Sequence, residues 1–276
     1  MGGTLWVIAT PIGHLEDISP RARRILAEVD VLLAEDTRRT RVLLSSIGIE
    51  RPLLSLHEHN EEARSASLLA RLAAGQSLAL VSDAGTPLIS DPGFRLVRAA
   101  RDAGFAVRPV PGPSAPIAAL SVAGLPCERF CFEGFLPSNP ARRRARLAEL
   151  AHEARTMIFF EAPQRIEAML GDAIAAFGAR RAACLARELS KLHETLIGPD
   201  LGAIAERVRA DPEQRLGEMT LVVAGAAEPG DDRLAEGRRL YRLLSAELPP
   251  ARAARLAASF TGLPRARFYR GDDAED

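Results

Sequence analysis

An apolar run of four residues, Leu78–Val81, empties into Ser82-Asp83-Ala84-Gly85-Thr86-Pro87, a loop of small and polar side chains. Two other runs end in the same way. Trp6–Ala9 leads into Thr10-Pro11-Ile12-Gly13, and Val107–Val110 into Pro111-Gly112-Pro113-Ser114-Ala115. Short apolar runs bounded by Gly and Pro read as strands, and their alternation with helical segments implies βαβ units and a parallel sheet. That alternation fills the first half of the chain. Strands are expected at Leu5–Ala9, Val31–Ala34, Leu53–Leu56, Leu78–Val81 and Val107–Val110, with helices at Pro20–Glu28, Thr37–Ser46, Glu61–Ala74 and Pro92–Ala103. Asp91 is the expected cap of the last helix, with Pro92 in its first turn. Ligands in open α/β sheets bind at the carboxyl ends of the strands, so the three small-residue exits are read as the rim of one pocket.

Pro111-Gly112-Pro113 breaks the alternation and marks the expected hinge. Beyond it strands are expected at Phe130–Phe135, Thr156–Phe160, Ala182–Ala186, Glu194–Gly198 and Met219–Ala224, with helices at Pro140–His152, Pro163–Phe177 and Leu201–Ala210. Some connections here are too short for a crossover helix, which favours a mixed sheet. Ala226 to Asp232 is a polar linker, followed by three short helices, Leu234–Leu248, Ala251–Phe260 and Pro264–Tyr269. The expected organisation is an α/β domain over 1–112, a second over 113–227 and a helical tail over 233–270.

The 276 residues are 47% hydrophobic with a mean hydropathy of −0.01, the composition of a globular chain able to bury a good core. No apolar run reaches the length of a membrane span, and residues 1–8 carry no secretory signal. A cytoplasmic protein is expected. Cys127, Cys131 and Cys184 lack metal spacing or disulfide partners and read as reduced thiols. Charge is balanced at 36 basic and 36 acidic residues, which excludes a general nucleic-acid coat. Lys191 is the single lysine, set in Ala186-Arg187-Glu188-Leu189-Ser190-Lys191-Leu192-His193-Glu194. An ammonium and a guanidinium fork are not interchangeable near a reacting group, so Lys191 and its neighbours Arg187 and His193 are candidates for the site.

No G-x-x-x-x-G-K-[ST] loop, G-x-S-x-G elbow or G-x-G-x-x-G after the first strand occurs, which argues against the common nucleotide-binding folds. His57-Glu58-His59-Asn60 has no third ligand and reads as hydrogen-bonding rim or surface rather than metal site. Glu35-Asp36-Thr37-Arg38-Arg39-Thr40-Arg41 caps a helix or holds a phosphate equally well. Arg142-Arg143-Arg144 and Arg146, near Phe132-Glu133-Gly134-Phe135, suit either an exposed face or a nucleic-acid strand. Glu161, after Phe159-Phe160, and Gly217-Glu218-Met219-Thr220 are further groups at strand ends.

Together these segments resemble the ribosomal small-subunit RNA (cytidine-2′-O)-methyltransferases of the tetrapyrrole methylase superfamily. The resemblance runs from Leu5 to about Gly225. It rests on Ala9–Gly13, Ala34–Arg38, His57–Glu61, Val81–Pro87, Pro111–Ala115, Phe132–Pro137 and Ala186–Glu194, in that order. The tail from Leu234 to Tyr269 also looks like the helix-turn-helix-like extension that many members carry. Gln164 and Arg39 stand where the family commonly has histidine. The resemblance implies S-adenosylmethionine in a cleft between two α/β domains, a 16S rRNA substrate within the 30S subunit and a homodimer; the residues themselves offer no metal site. Pro11, Asp83, Ala84, Gly85, Thr86, Ser114, Ala115 and Ala162, small and polar residues converging at strand ends, are expected to line the cofactor site, with Leu189 on the far wall. Arg38, Arg142, Arg143, Arg144 and Arg187 are expected to meet the RNA; Asp36, Glu133 and His193 are candidate bases, and Lys191 is a candidate either to stabilise the developing alkoxide or to hold the adjacent phosphate. A sister enzyme methylating a tetrapyrrole precursor is the alternative. It is disfavoured by the arginines after Asp36, by Arg142–Arg146 and by the tail. A non-enzymatic binding module is the third reading.

Overall fold

The computed structural model describes residues 2–226 and 229–268; Tyr269 and Arg270, at the end of the expected tail, lie outside them. The chain divides into two compact units, Met1–Ala151 with Thr156–Ala224, and His152–Arg155 with Gly225–Asp276. The first unit contains both sheets.

The first sheet is wholly parallel. Its strands are β1 (Thr4–Ile8), β2 (Val31–Ala34), β3 (Leu53–Ser55), β4 (Leu78–Val81) and β5 (Ala106–Val110), in the order β3-β2-β4-β1-β5. β2 and β4 are buried at every residue, as continuous Val, Leu and Ala runs require when helices cover both faces. On one face α1 (Pro20–Glu28) and α2 (Thr37–Ser46) pack Ile25, Leu26 and Leu44 against Ile8, Leu32 and Val81. On the other, α3 (Glu61–Ala73) and α4 (Phe94–Asp102) pack Leu68, Leu72 and Leu96 against Leu5, Leu33 and Leu80.

The second sheet is mixed, in the order β6-β7-β10-β8-β9. Its strands are β6 (Phe130–Phe135), β7 (Thr156–Glu161), β8 (Ala183–Arg187), β9 (Thr195–Ile197) and β10 (Met219–Val223); only β6 and β7 run parallel. Side chains alternate between its faces. Met157, Phe159, Leu221 and Val223 meet α6 (Pro140–Glu149), α7 (Ile166–Phe177) and α8 (Leu201–Ala210). Ile158 and Val222 meet Ala119 and Leu120 of α5 (Ala115–Val122) on the opposite face.

The second unit carries α9 (Pro229–Ser245) and α10 (Pro250–Thr261), then a short 3-10 turn at Arg265–Phe268. Ala254, Ala257 and Phe268 form its small core with Tyr241 packed on them. A Cβ on Gly237 would sit 2.5 Å from the Phe268 ring; only glycine permits that approach.

Three expectations change. The helix expected from Pro92 begins at Phe94, with Gly93 rather than Asp91 at its cap. Gly93 has φ 125° and a Cβ there would lie 2.5 Å from Leu80 Cδ2, so the chain crosses tightly over β4 before it can coil. The helix expected at Pro163–Phe177 opens with a separate 3-10 turn, Pro163–Arg165. Helix α5 stands where the sequence suggested only a loop and hinge.

Candidate active site

In the order β3-β2-β4-β1-β5 the chain leaves β1 for β2 on one side and β4 for β5 on the other. Neighbouring strands with opposed exits open a crevice at their carboxyl ends. Three loops meet there and are bonded to one another. The Thr10 amide donates to the Gly85 carbonyl at 2.9 Å, and the Gly85 amide to the Thr10 carbonyl at 3.0 Å. Thr10 Oγ1 donates to the Ser82 carbonyl at 3.2 Å and Thr86 Oγ1 to the Pro113 carbonyl at 2.9 Å. Gly85 has φ 81°, the left-handed region that side chains other than glycine disfavour.

The crevice is a cavity of about 420 Å³, and the second sheet closes its other side with Phe135, Phe160, Ala186, Leu189, Met219 and Thr220. Phe132, Phe135 and Phe160 form an aromatic group with centroids 5.0 and 5.5 Å apart. Leu189 arrives on a strained turn, Glu188 at φ 53° and Ser190 at φ 59°. Around it Lys191 Nζ joins Glu188 Oε1 at 2.8 Å and Glu218 Oε2 at 3.1 Å. The Glu218 amide donates to Glu188 Oε1 at 2.7 Å and the His14 amide to Ser190 Oγ at 3.2 Å. A Cβ on Gly13 would fall 2.6 Å from Lys191 Cγ, so the turn presses directly on the first sheet's exit loop.

Charge in the cavity is mainly acidic. Glu35, Asp83, Asp91, Glu161 and Glu218 line it with one basic residue, Arg39. Arg39 is 68% exposed and its Nη1 lies 3.7 Å from Asp83 Oδ2. Burial, then repulsion from Glu35 and Asp83, pushes the Asp91 carboxyl up to about 7. Burial raises Glu35, reinforced by Asp83, and burial also raises Glu161 despite its bonds to the Ala162 amide and Arg165. Lys191 is the reverse case: burial works against its charge, but the bonds to Glu188 and Glu218 outweigh it and raise its pKa.

Asp83, Ala84, Gly85, Thr86, Ser114, Ala115, Ala162 and Leu189 all line this cavity; Pro11 does not, although its neighbour Ile12 does. The four residues assigned to catalysis lie outside the lining. Asp36 is held by the Arg38 amide and guanidinium, which bring its carboxyl down to about 2. Glu133 is paired with Arg146 at 2.7 Å, and Lys191 is held between its two carboxylates. The His193 carbonyl accepts from Arg187 at 3.0 Å.

The arginines divide in the same way. Arg143 is buried, with Nε 2.7 Å from Asp172 Oδ2, because its position on α6 faces α7. Arg187 is buried among Gln214, the Leu216 and His193 carbonyls and Thr195. Neither is free for a phosphate. Arg38 is committed to Asp36, whereas Arg142 is exposed and Arg144 is 58% exposed. The sequence pointed to Asp36 and Arg38, but their neighbours Glu35 and Arg39 face the cavity. His57–Asn60 is a hydrogen-bonded turn, with the His57 amide donating to Asn60 Oδ1 at 2.9 Å. Among the described residues no His, Cys, Asp and Glu group is arranged to hold a metal ion, and no helix is long and apolar enough to cross a membrane.

Residues 4–205 match the family model of the Tetrapyrrole (Corrin/Porphyrin) Methylases, and residues 231–270 that of the RsmI C-terminal HTH domain. The chain is 57% identical over 269 residues to the ribosomal RNA small subunit methyltransferase I of Xylella fastidiosa strain Temecula1, covering 98% of each chain. This chain belongs to that family of tetrapyrrole methylases. It is also 52% identical over 270 residues to the protein of the same name in Pseudomonas aeruginosa, covering 97% of this chain and 96% of that one. The solved structure of the methyltransferase CobJ aligns with TM-score 0.61 at 21% identity, over 82% of this chain and 95% of that one. That likeness reports the fold and not the substrate.

Proposed function

We infer that this chain transfers a methyl group from S-adenosylmethionine to the 2′-hydroxyl of a cytidine in 16S rRNA. The observation that carries the reading is the pair of family matches, over residues 4–205 and 231–270, joined to a cavity suited to the donor. About 420 Å³ lies within the usual range for small-molecule pockets. Apolar walls at Ala84, Ala115, Ala162 and Leu189 take a flat nucleoside, and the acidic balance favours a cationic ligand. The bound donor supplies an electrophilic methyl on a sulfonium.

The residues' part is chiefly alignment, which converts a bimolecular displacement into a local one. Asp83, Ala84, Gly85, Thr86, Ser114, Ala115, Ala162 and Leu189 hold the donor. Glu188, Lys191 and Glu218 are positioning residues that brace the Leu189 turn. Arg39, Arg142 and Arg144 meet RNA phosphates at the exposed rim, and the tail over 233–270 adds docking. The lobes 1–112 and 113–227 each contribute one wall. The enzyme acts as a cytoplasmic homodimer on the assembled 30S particle.

Labelled donor offered to 30S particles, free 16S rRNA and a tetrapyrrole precursor in parallel tests this. Label is expected in the 30S particle, and transfer to the tetrapyrrole alone overturns the reading.

A further inference from the structure

Residues 88–93 are a strained segment beside the cavity. Leu88 and Ser90 have φ of 72° and 73°, and Gly93 has φ 125°. Non-glycine residues in this region are strained and persist where the surroundings over-determine them. Here the surroundings are plain. Gly93 rides on Leu80, and Ser90 Oγ lies 3.4 Å from the position of a Cβ on Gly134 of the second sheet. The segment is pinned on both sides, and the helix that Asp91 would otherwise cap starts three residues later at Phe94. Ile89, Ser90 and Asp91 therefore line the cavity.

Among the described residues no hydrogen bond or ion pair engages the Asp91 carboxylate. Glu35 and Asp83 face it from the ends of β2 and β4, with Arg39 directed to Asp83; Glu161 and Glu218 face the same space from β7 and β10. His57 acts on Glu35 from the turn before α3. The carboxyl does not cap the helix and lines the cavity without a partner.

We propose that Asp91 is the proton acceptor for the ribose 2′-hydroxyl. This rests on the methyltransferase reading above. In the step the 2′-oxygen forms a bond to the methyl carbon as the carbon–sulfur bond breaks, and that bond's electron pair stays on sulfur. The hydroxyl proton passes to an Asp91 carboxylate oxygen and from there to solvent. Burial and the acidic neighbours raise the carboxyl to about 7, near the value at which a base combines availability with strength.

The test uses the full chain and Asp91→Asn, which keeps the size and removes the base. Single-turnover transfer to 30S particles is expected to fall about 10²–10⁴-fold, with donor affinity by calorimetry within about threefold. The wild-type rate should rise with pH through about 7, and Asp91→Asn should lose that limb. A readout independent of activity is carboxyl ¹³C NMR of aspartate-labelled protein. One resonance should titrate near 7 and vanish in Asp91→Asn. An unchanged transfer rate in a folded Asp91→Asn protein overturns the proposal, as does the absence of a titrating carboxyl between about 6 and 8 in the wild type. If wild-type enzyme methylates no 30S particle at all, the function reading fails instead.

Discussion

Gly85→Ala probes the loop that joins the two strand exits. Gly85 sits at φ 81° and exchanges two backbone bonds with Thr10. An alanine there meets two costs. The left-handed backbone disfavours an L side chain by roughly 1–2 kcal/mol, and the new Cβ lies 3.2 Å from Ile12 Cγ2, close enough to displace it by a few tenths of an ångström. The loop relieves both by rotating, which breaks the Thr10 pairing and moves Ala84 and Thr86. A ligand must then restore the original geometry on binding. A debt of about 1–2 kcal/mol appears as roughly a 5- to 30-fold weaker Kd for S-adenosylmethionine, with a fall in Tm of about 2–8 °C. Gly85→Val adds β-branching and abolishes binding. Calorimetry and thermal denaturation on the same samples measure both quantities. Wild-type Kd and Tm in Gly85→Ala refute the claim that this loop shapes the donor site.

Lys191→Ala leaves Glu188 and Glu218 facing each other without their shared cation. It should cost about 1–2 kcal/mol in urea denaturation and raise KM for the donor more than it lowers kcat; an unaltered KM refutes the bracing role. Asp91 predicts a pH dependence of stability. Its folded pKa, about 7, lies above the ordinary 3.8, so the folded state binds the proton more tightly. That contribution is complete below the unfolded value and is lost as pH rises through about 7. Asp91→Asn should therefore gain on wild type across this interval, and parallel stability curves refute the burial of a repelled carboxyl. Deleting the residues after Gly230 should weaken 30S binding and reduce its salt dependence while leaving donor affinity unchanged. An unchanged KM for 30S particles removes the tail from docking.

Much of the fold is legible because burial on both faces writes itself as continuous apolar runs. Val31–Ala34 and Leu78–Val81 are strands at the expected residues. Helix α5 is not legible for the same physical reason. Ala115-Pro116-Ile117-Ala118-Ala119-Leu120 is apolar on every side, so no stripe distinguishes its buried Pro116, Ala119 and Leu120 from exposed Ile117. Small residues marked most of the loops that line the cavity, since close approach to backbone leaves a compositional mark. Charged residues carried no such mark. Asp36 and Glu35, or Arg38 and Arg39, differ only in which way a capped helix turns them, and Asp36 is taken up by capping α2. Asp91 resembled a helix cap because Asp-Pro commonly starts one; the contact between Gly93 and Leu80 that delays the helix is long-range in structure and silent in sequence. The lone lysine drew attention to Lys191, but its two glutamate partners hold it beside the turn carrying Leu189 and outside the cavity lining.

The central claim is methylation at the ribose 2′-oxygen of one cytidine. The most direct measurement is alkaline hydrolysis of 16S rRNA from 30S particles treated with the enzyme and tritiated donor. A 2′-O-methyl group blocks attack on the adjacent phosphodiester, so label should be recovered in a single alkali-resistant dinucleotide that yields 2′-O-methylcytidine on digestion. Label recovered in mononucleotides places the methyl group on a base and contradicts the account.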